Sequence, residues 1–404
     1  FYMTVYISKD ILGTNAHLGW DGTSFIRQNT LDVNDFVYDN DLAVRSLRPL
    51  CDLKPMHVSF PSTTQQRIWS QIPGVKLNEV KWASCLTAKN FKQSVQEALE
   101  QLWLLFKDME GTYYVNDFYV IRKLLLTLSA AKIDTSLYYA IMRNENVNKN
   151  SLSSFCPDDT GYCKIPVYNQ VKTVTGRLTV DSGPNILTLK KVHRRILQSR
   201  YDKGRVIQID FVSLEPRVLL TFLEKDAQSD VYAQIAKEVF KEKIDRETAK
   251  VLTLGVVYGL SSNNLAEKLS IHHSVAKRLN KKIRDYFKLN DLTRLLINTA
   301  ECGKIKNTYG REINVSGDAG YVLVNRFVQS SAADAALLSF AHLVNHLSRI
   351  SDKILPLFLI HDAIILDVPE EHFELISELC KPGLDVPVLN KRFPVQIDII
   401  SQNK

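Results

Sequence analysis

The six cysteines of this 404-residue chain, at positions 51, 85, 156, 163, 302 and 380, never form a CxxC pair. That spacing signals neither a zinc cluster nor a disulfide framework, so reduced thiols are expected. No apolar run approaches the roughly 20 residues needed to cross a bilayer, and the stretch opening on Phe1 lacks a charged-then-apolar leader pattern. Internal repeats and low-complexity tracts are missing too. These absences point to a soluble cytoplasmic protein with no membrane partner. What is present agrees, because 45% hydrophobic against 24% charged residues excludes a disordered chain and suffices for two or three cores at this length. The formal net charge of +7 permits a polyanionic partner without demanding one.

Along the chain, residues 1 to about 85 combine a strand pattern at Thr4–Ser8 with turn-rich stretches at 15–24 and 61–66, and carry no chemistry. From Ala88 to Met142 the period becomes helical, with Phe91, Val95, Ala98, Leu99, Leu102 and Leu105 on one face. The polar stretch 144–159 reads as a linker or exposed loop.

Three later segments carry chemistry. In LFLIHDAIILDV, residues 357–368, two β-branched-rich runs flank His361 and Asp362, which predicts two strands joined by a two-residue turn. Such a turn favours Asn-Gly or Asp-Gly, because both central residues take positive φ, so His-Asp is a poor choice on propensity. Either the turn is merely exposed, or it delivers a carboxylate. A second carboxylate, Asp210, ends the short run Val206, Ile207, Ile209 and faces a helix start, with Ser213 as the expected N-cap and Pro216 in the first turn. An Asp there is commonly a cap or turn residue, yet two strand-end aspartates side by side suit Mg²⁺, which takes a couple of carboxylates plus waters and phosphates. In the third segment, Arg246, Lys250, Leu254 and Tyr258 recur every four residues and form one helical stripe running from cations to an aromatic ring. Gly255 is expected to let a flat ligand approach the backbone, and Gly259 to end the helix. The stripe fits a nucleotide, phosphates at one end and base at the other, or a basic surface helix with a buried Tyr.

Taken in order, Thr175-Gly-Arg177-Leu with Pro184-Asn185, Asp210 to Arg217, Arg246 to Gly259, and His361-Asp362 resemble the family A DNA polymerases, the DNA polymerase I group. The resemblance runs from about residue 90 to the end, including a strand-like stretch from Val386 to Ile400. It implies an α+β right-hand fold: an N-terminal region of unknown role at 1–89, a remnant of an exonuclease-like domain being one reading, a thumb at 90–165, palm at 166–218 and 318–404, and fingers at 219–317. It implies a nucleotidyltransferase, a DNA-directed DNA polymerase adding dNMPs to a primer 3′-hydroxyl with release of pyrophosphate. Asp210 and Asp362, with the Phe211 backbone carbonyl, would hold two Mg²⁺ ions, Mn²⁺ being a substitute. Lys250 would act on the pyrophosphate as a proton donor and Arg246 on the triphosphate. Tyr258 would pack at the templating base, Leu254 and Tyr232 would line the nucleotide site, and Glu215 would close the space of a ribose 2′-hydroxyl. Arg177, Asn185, Asn325, Gln329 and His361 would meet the primer-template near its end, where minor-groove acceptors are nearly sequence-independent. The implied partners are primer-template DNA and dNTPs, with the chain a monomer to which accessory replication proteins attach.

Several positions depart from that family's pattern. Ala363 stands where a Glu usually follows the turn Asp, Leu254 replaces an aromatic, Tyr232 a His and Tyr321 an Arg. The 210–246 interval is short, so trimmed fingers are expected. These departures suggest a divergent, viral or plasmid-borne branch, which would work in the host-cell cytoplasm. A proofreading domain needs Asp-x-Glu on a strand; the early match, Asp108-Met-Glu110, follows a helical run and reads as a helix end. Neither proofreading nor a 5′ nuclease is therefore expected in this stretch. Two alternatives remain at this point: a single-subunit RNA polymerase or reverse-transcribing variant of the same fold, against which Glu215 argues, and a non-catalytic primer-template-binding subunit, against which both aspartates argue.

Overall fold

The computed structural model describes residues 4–32, 35–38, 71, 81–109, 114–143, 149–241 and 243–403. They divide into two units, Phe1–Tyr119 with Gly310–Glu312, and Val120–Tyr309 with Ile313–Lys404. The division thus falls inside the stretch expected as a thumb, and not at residue 89.

In the first unit the expected early strand is β1 (Val5–Ile7), fully buried. It lies in a sheet with β2 (His17–Trp20), β3 (Phe25–Gln28) and β4 (Phe36–Tyr38), in the order β3-β2-β1-β4. β4 runs parallel to β1 and the other pairs are antiparallel. Helix α1 (Ala88–Met109) packs on β1 and β2. Its buried face is Val95, Ala98, Leu99 and Leu102, whereas Leu105 drifts out to solvent, because a 3.6-residue period carries each further residue around the axis. Asp108 lies in the last turn of α1, as a helix end requires, while Glu110, like the turn-rich 61–66, lies outside the described residues.

The second unit is built on a four-stranded antiparallel sheet: β5 (Arg205–Phe211), β6 (Leu355–Ile360), β7 (Ala363–Val368) and β8 (Val395–Gln402), in the order β6-β7-β5-β8. Val206, Ile207 and Ile209 are completely buried, as are Ile364, Ile365 and Leu366, so the sheet is covered on both faces and its central strands read as near-continuous apolar runs. One face meets helix α5 (Gly320–Ile350; α2–α4 follow below) through a Phe211–Phe340 ring pair 5.3 Å apart. The other packs into a core of Ile133, Tyr138, Phe155, Ile186 and Leu197. The outer strand β6 has its edge closed by Tyr168, whose hydroxyl donates to the Leu359 carbonyl at 2.8 Å and accepts from the Leu359 N–H at 3.0 Å, removing an edge that would otherwise invite pairing. The strand-like stretch expected at 386–400 resolves into a hairpin of Leu384–Val386 with Lys391–Phe393, followed by β8.

From β5 to residue 298 the chain is mainly helical: α2 (Leu214–Phe222), α3 (Val231–Phe240) and α4 (Arg246–Val257), then Ser262–Leu269, His273–Tyr286 and Leu289–Asn298, before a short strand pair, Lys304–Lys306 and Glu312–Asn314, leads to α5. These share one core, in which Leu219, Ile235, Leu252, Leu265, Ile283 and Phe327 are buried. Helix α5 is long and apolar enough to cross a membrane by length and composition, contrary to the reading that no such segment exists. However, 89% of its apolar window is buried inside the protein, which makes it a core helix.

Candidate active site

The carboxylate pair is set by strand register. Asp210, near the end of central strand β5, pairs with Ala363 on one side and Gln396 on the other. The β6–β7 turn is His361-Asp362 as expected, although only His361 takes positive φ, +49°. The Phe211 N–H donates to the Asp362 carbonyl at 3.1 Å, which ties the turn to β5 and brings Asp362 beside Asp210. Burial, then the charges of Asp362 and Asp398, push the Asp210 carboxyl up to about 6, against the opposing pull of Lys191 and Arg194. Burial likewise raises Asp362, which Arg177 partly offsets. Two half-desolvated carboxyls that resist ionising together form a site that a cation would relieve. Among the described residues no group of three or more His, Cys, Asp and Glu side chains is placed to hold a metal. Position 363, beside the turn aspartate, is an alanine packed in the core and adds no carboxylate.

Two clefts share Leu214, Glu215 and Asp362. The larger, about 350 Å³, is lined by Asp210, Phe211, Glu215, Tyr232, Arg246, Lys250, Leu254 and Asp362. Helix α4 faces it, capped by the Asp245 carboxylate, which accepts from the Thr248 N–H at 2.6 Å. The expected stripe is therefore divided: Arg246, Lys250 and Leu254 line this cleft, and Tyr258, at the C-terminal end of α4, lines the other. Arg246 is paired with Asp230 and Glu247, and Asp230 also caps α3 by accepting from the N–H groups of Tyr232 and Ala233. The Arg246 guanidinium and the Lys250 ammonium stand 5.7 Å and 5.9 Å from the centroid of the Tyr232 ring, within cation–π range. Burial pushes the Tyr232 phenol up to about 12, so it stays neutral. Lys250 makes no ion pair among the described residues.

The smaller cleft, about 160 Å³, is lined by Arg177, Glu215, Tyr258, Gln329, His361 and Asp362 among others. Glu215, in the first turn of α2, accepts from Arg177 Nη2 at 2.5 Å on one carboxylate oxygen and from the Tyr258 hydroxyl on the other. The Tyr258 phenol is raised by burial first and by the Glu215 charge second. Burial and the charges of Arg177 and Arg194 lower His361, which favours a neutral imidazole.

Other expectations are not met. Asn185 and Asn325 line neither cleft: the Asn185 N–H is turned to Ser154 Oγ, and both side-chain carbonyls are buried without a partner. Ser213 occupies the N-cap position of α2 at φ +56° with no side-chain capping bond; its hydroxyl engages Tyr232 instead. Gly255 opens no space for a ligand, because a Cβ there would come to 3.1 Å from Leu260 Cδ2. Its absent side chain serves helix-to-loop packing. Reading the sequence also missed Arg217, a buried residue of α2, which donates to the carbonyls of Val212 and Ser229, and Arg194, which donates to Gln208 at 2.9 Å beside Asp210. Asp230 was missed as the residue that orients Arg246. No local pattern marks any of the three, since each has a partner 12 or more positions away in sequence.

A family model described as DNA polymerase family A matches residues 92–402. DNA polymerase I of Lactococcus lactis subsp. cremoris is 29% identical over 57% of this chain and 30% of that protein. The thermostable DNA polymerase I of Thermus aquaticus is 25% identical over 57% of this chain and 31% of that protein. The chain thus spans about a third of the length of these curated relatives. Among solved structures, the POL domain of Pol1 from M. smegmatis, in complex with DNA primer-template and dNTP, covers 74% of this chain and 65% of its own, with a TM-score of 0.53 and 18% identity. At that identity the likeness shows the fold, a mixed helix and sheet right hand.

Proposed function

The chain belongs to DNA polymerase family A, and from that premise we propose that it extends a primer 3′-hydroxyl by template-directed addition of dNMPs with release of pyrophosphate. The observation that carries this reading is the convergence of Asp210 and Asp362, tied by the Phe211–Asp362 backbone bond, on one cleft whose far wall is the cationic face of α4.

Divalent metal use accompanies the family in general, and the residues present fit it: two adjacent carboxyls, both raised by burial and Asp210 further by the charge of Asp362, form a site that a cation would relieve. Asp210 and Asp362, with the Phe211 carbonyl, would hold two Mg²⁺ ions, or Mn²⁺ in their place, which when bound activate the 3′-hydroxyl and stabilise the departing pyrophosphate. The chain's own residues do the rest. Lys250 places an uncommitted ammonium toward the leaving group and donates a proton to it. Arg246 holds the triphosphate, after exchanging its contact with Asp230 or sharing it. Tyr232, neutral and buried, keeps both cations on the cleft side. Glu215, pinned by Arg177 and Tyr258, occupies the room that a 2′-hydroxyl would need, and this favours dNTPs over the RNA polymerase reading. Arg177 and Gln329 meet the primer-template end, with neutral His361 beside the primer terminus. Asn185 and Asn325 would serve the same end through their side-chain N–H2 groups, since the minor-groove edge presents acceptors.

The test is primer extension with wild type and Asp362→Asn. The amide keeps the side chain's size and loses its charge, so extension should fall by several orders of magnitude while affinity for primer-template is retained. Extension at wild-type rate by the variant would remove Asp362 from the reaction.

A further inference from the structure

Tyr321 is 52% exposed, an unusual place for a ring in a protein whose large aromatic side chains are mostly in cores. It stands at the start of α5 and rests on the backbone of Gly259: a Cβ on that glycine would lie 2.4 Å from Tyr321 Cδ2 and 3.3 Å from Cγ. Gly259 also sits at φ +79°, so both conformation and contact require a residue without a side chain. The ring is therefore seated by one surface on a peptide and offers the rest to solvent. Its burial supplies little core packing.

Two positional facts say what it faces. Gly259 directly follows Tyr258, which lines the cleft holding Glu215, Asp362 and Arg177. On α5, Tyr321, Asn325 and Gln329 recur every four residues and share a face, and Gln329 lines that same cleft. At 1.5 Å per residue, Tyr321 is about 12 Å along the helix from Gln329, so it continues the line of the cleft away from the two aspartates. The neighbouring cation, Arg326, is committed to Asp318 and to the Asn314 carbonyl, so the exposed feature here is an aromatic ring without an added charge.

The geometry points to Tyr321 as a stacking platform for the first unpaired template base, the nucleotide 5′ of the templating position. This rests on the polymerase reading above, in which Tyr258 packs at the templating base and the primer end lies on the aspartate side. A lone ring with no apolar surround suits a nucleobase, because every base has a π face and stacking needs no further contact. The contact is uncharged, so its share of the affinity is insensitive to salt, unlike the phosphate contacts.

The experiment uses primer-template DNA with 2-aminopurine at that template position, compared with a duplex lacking the overhang. Wild type should quench the probe in the binary complex, and the overhang should tighten binding roughly 5- to 150-fold, a ratio unchanged between low and moderate salt. Tyr321→Leu keeps contact with Gly259 but has no π face, and should lose both the quenching and the overhang effect at an unchanged melting temperature. Tyr321→Phe should keep both. Equal quenching and equal overhang dependence in wild type and Tyr321→Leu overturn the assignment, as does loss of both in Tyr321→Phe. Because the readout is binding, a wild type that stacks the probe but fails to extend the primer would refute the polymerase reading and leave this one standing. Extension without any overhang effect would do the reverse.

Discussion

Replacing Glu215 by Ala tests the smaller cleft most directly, because that carboxylate is the common partner of Arg177 and Tyr258. Its side chain is 16% exposed, against 36% for Arg177. Hydrogen bonds to a charged group contribute about 1.5–3 kcal/mol each in general. The Arg177 contact, on a side chain more than a third exposed, is screened toward ~1 kcal/mol or less, so the better protected Tyr258 contact dominates. Freeing that hydroxyl loosens the Tyr258 ring, and dNTP insertion should lose about tenfold in kcat/KM, about 1.4 kcal/mol. Removing the carboxylate and its methylenes simultaneously opens room for a 2′-hydroxyl, and a steric contact of that size discriminates by about 1–3 kcal/mol, roughly 10- to 200-fold. The dNTP-to-rNTP ratio of kcat/KM, measured by single-nucleotide insertion, should therefore fall by that range in Glu215→Ala. Glu215→Gln keeps the bulk and loses the charge, so it should retain most of the ratio while still losing part of the dNTP rate. A ratio unchanged in the Ala variant would refute the gate, and equal losses in Ala and Gln would show that charge, not volume, discriminates.

The raised Asp210 carboxyl has a thermodynamic consequence. Between 3.8 and about 6 the folded chain holds a proton that the unfolded chain has lost, so metal-free stability falls as pH rises through that window. Mg²⁺ should accordingly raise the melting temperature at pH 7.5 and do so less at pH 5.5; an equal effect at both, or its persistence when Asp210 and Asp362 are both Asn, would contradict the metal assignment. Lys250→Ala should lower kcat by about 10²- to 10⁴-fold with a smaller change in KM for dNTP in steady-state insertion, and a pure KM effect would make it a binding residue only. Asp367, fully buried, accepts from Ser199 Oγ at 2.5 Å, the Arg200 N–H at 3.1 Å and Arg200 Nε at 3.2 Å. Asp367→Ala should cost about 3–5 kcal/mol by urea unfolding, since it leaves those donors buried or unpaired; a loss under about 1 kcal/mol would show that water replaces the carboxylate.

The sequence by itself determined the local elements on which the chemistry sits. Two short apolar runs around His361-Asp362 predict the β6–β7 hairpin, the end of the Val206–Ile209 run places Asp210, and the four-residue recurrence from Arg246 predicts which side chains of α4 share a face. Each follows from a short apolar run or a 3.6-residue period, which is readable from neighbours alone. Tertiary structure alone decided what those faces meet. Asp210 and Asp362 are 152 positions apart, and only the pairing of β7 with β5 makes them adjacent. The same holds for Glu215 between Arg177 and Tyr258, and for Arg217, Arg194 and Asp230, whose partners no local pattern names. It also explains the failures: the Ser213 cap and the Gly255 opening were read from local propensity, and each was overruled by a side chain brought in from elsewhere. Propensity amounts to about a kilocalorie per residue, and the contacts made when distant elements pack are as large or larger, so the fold has the final word wherever the two disagree.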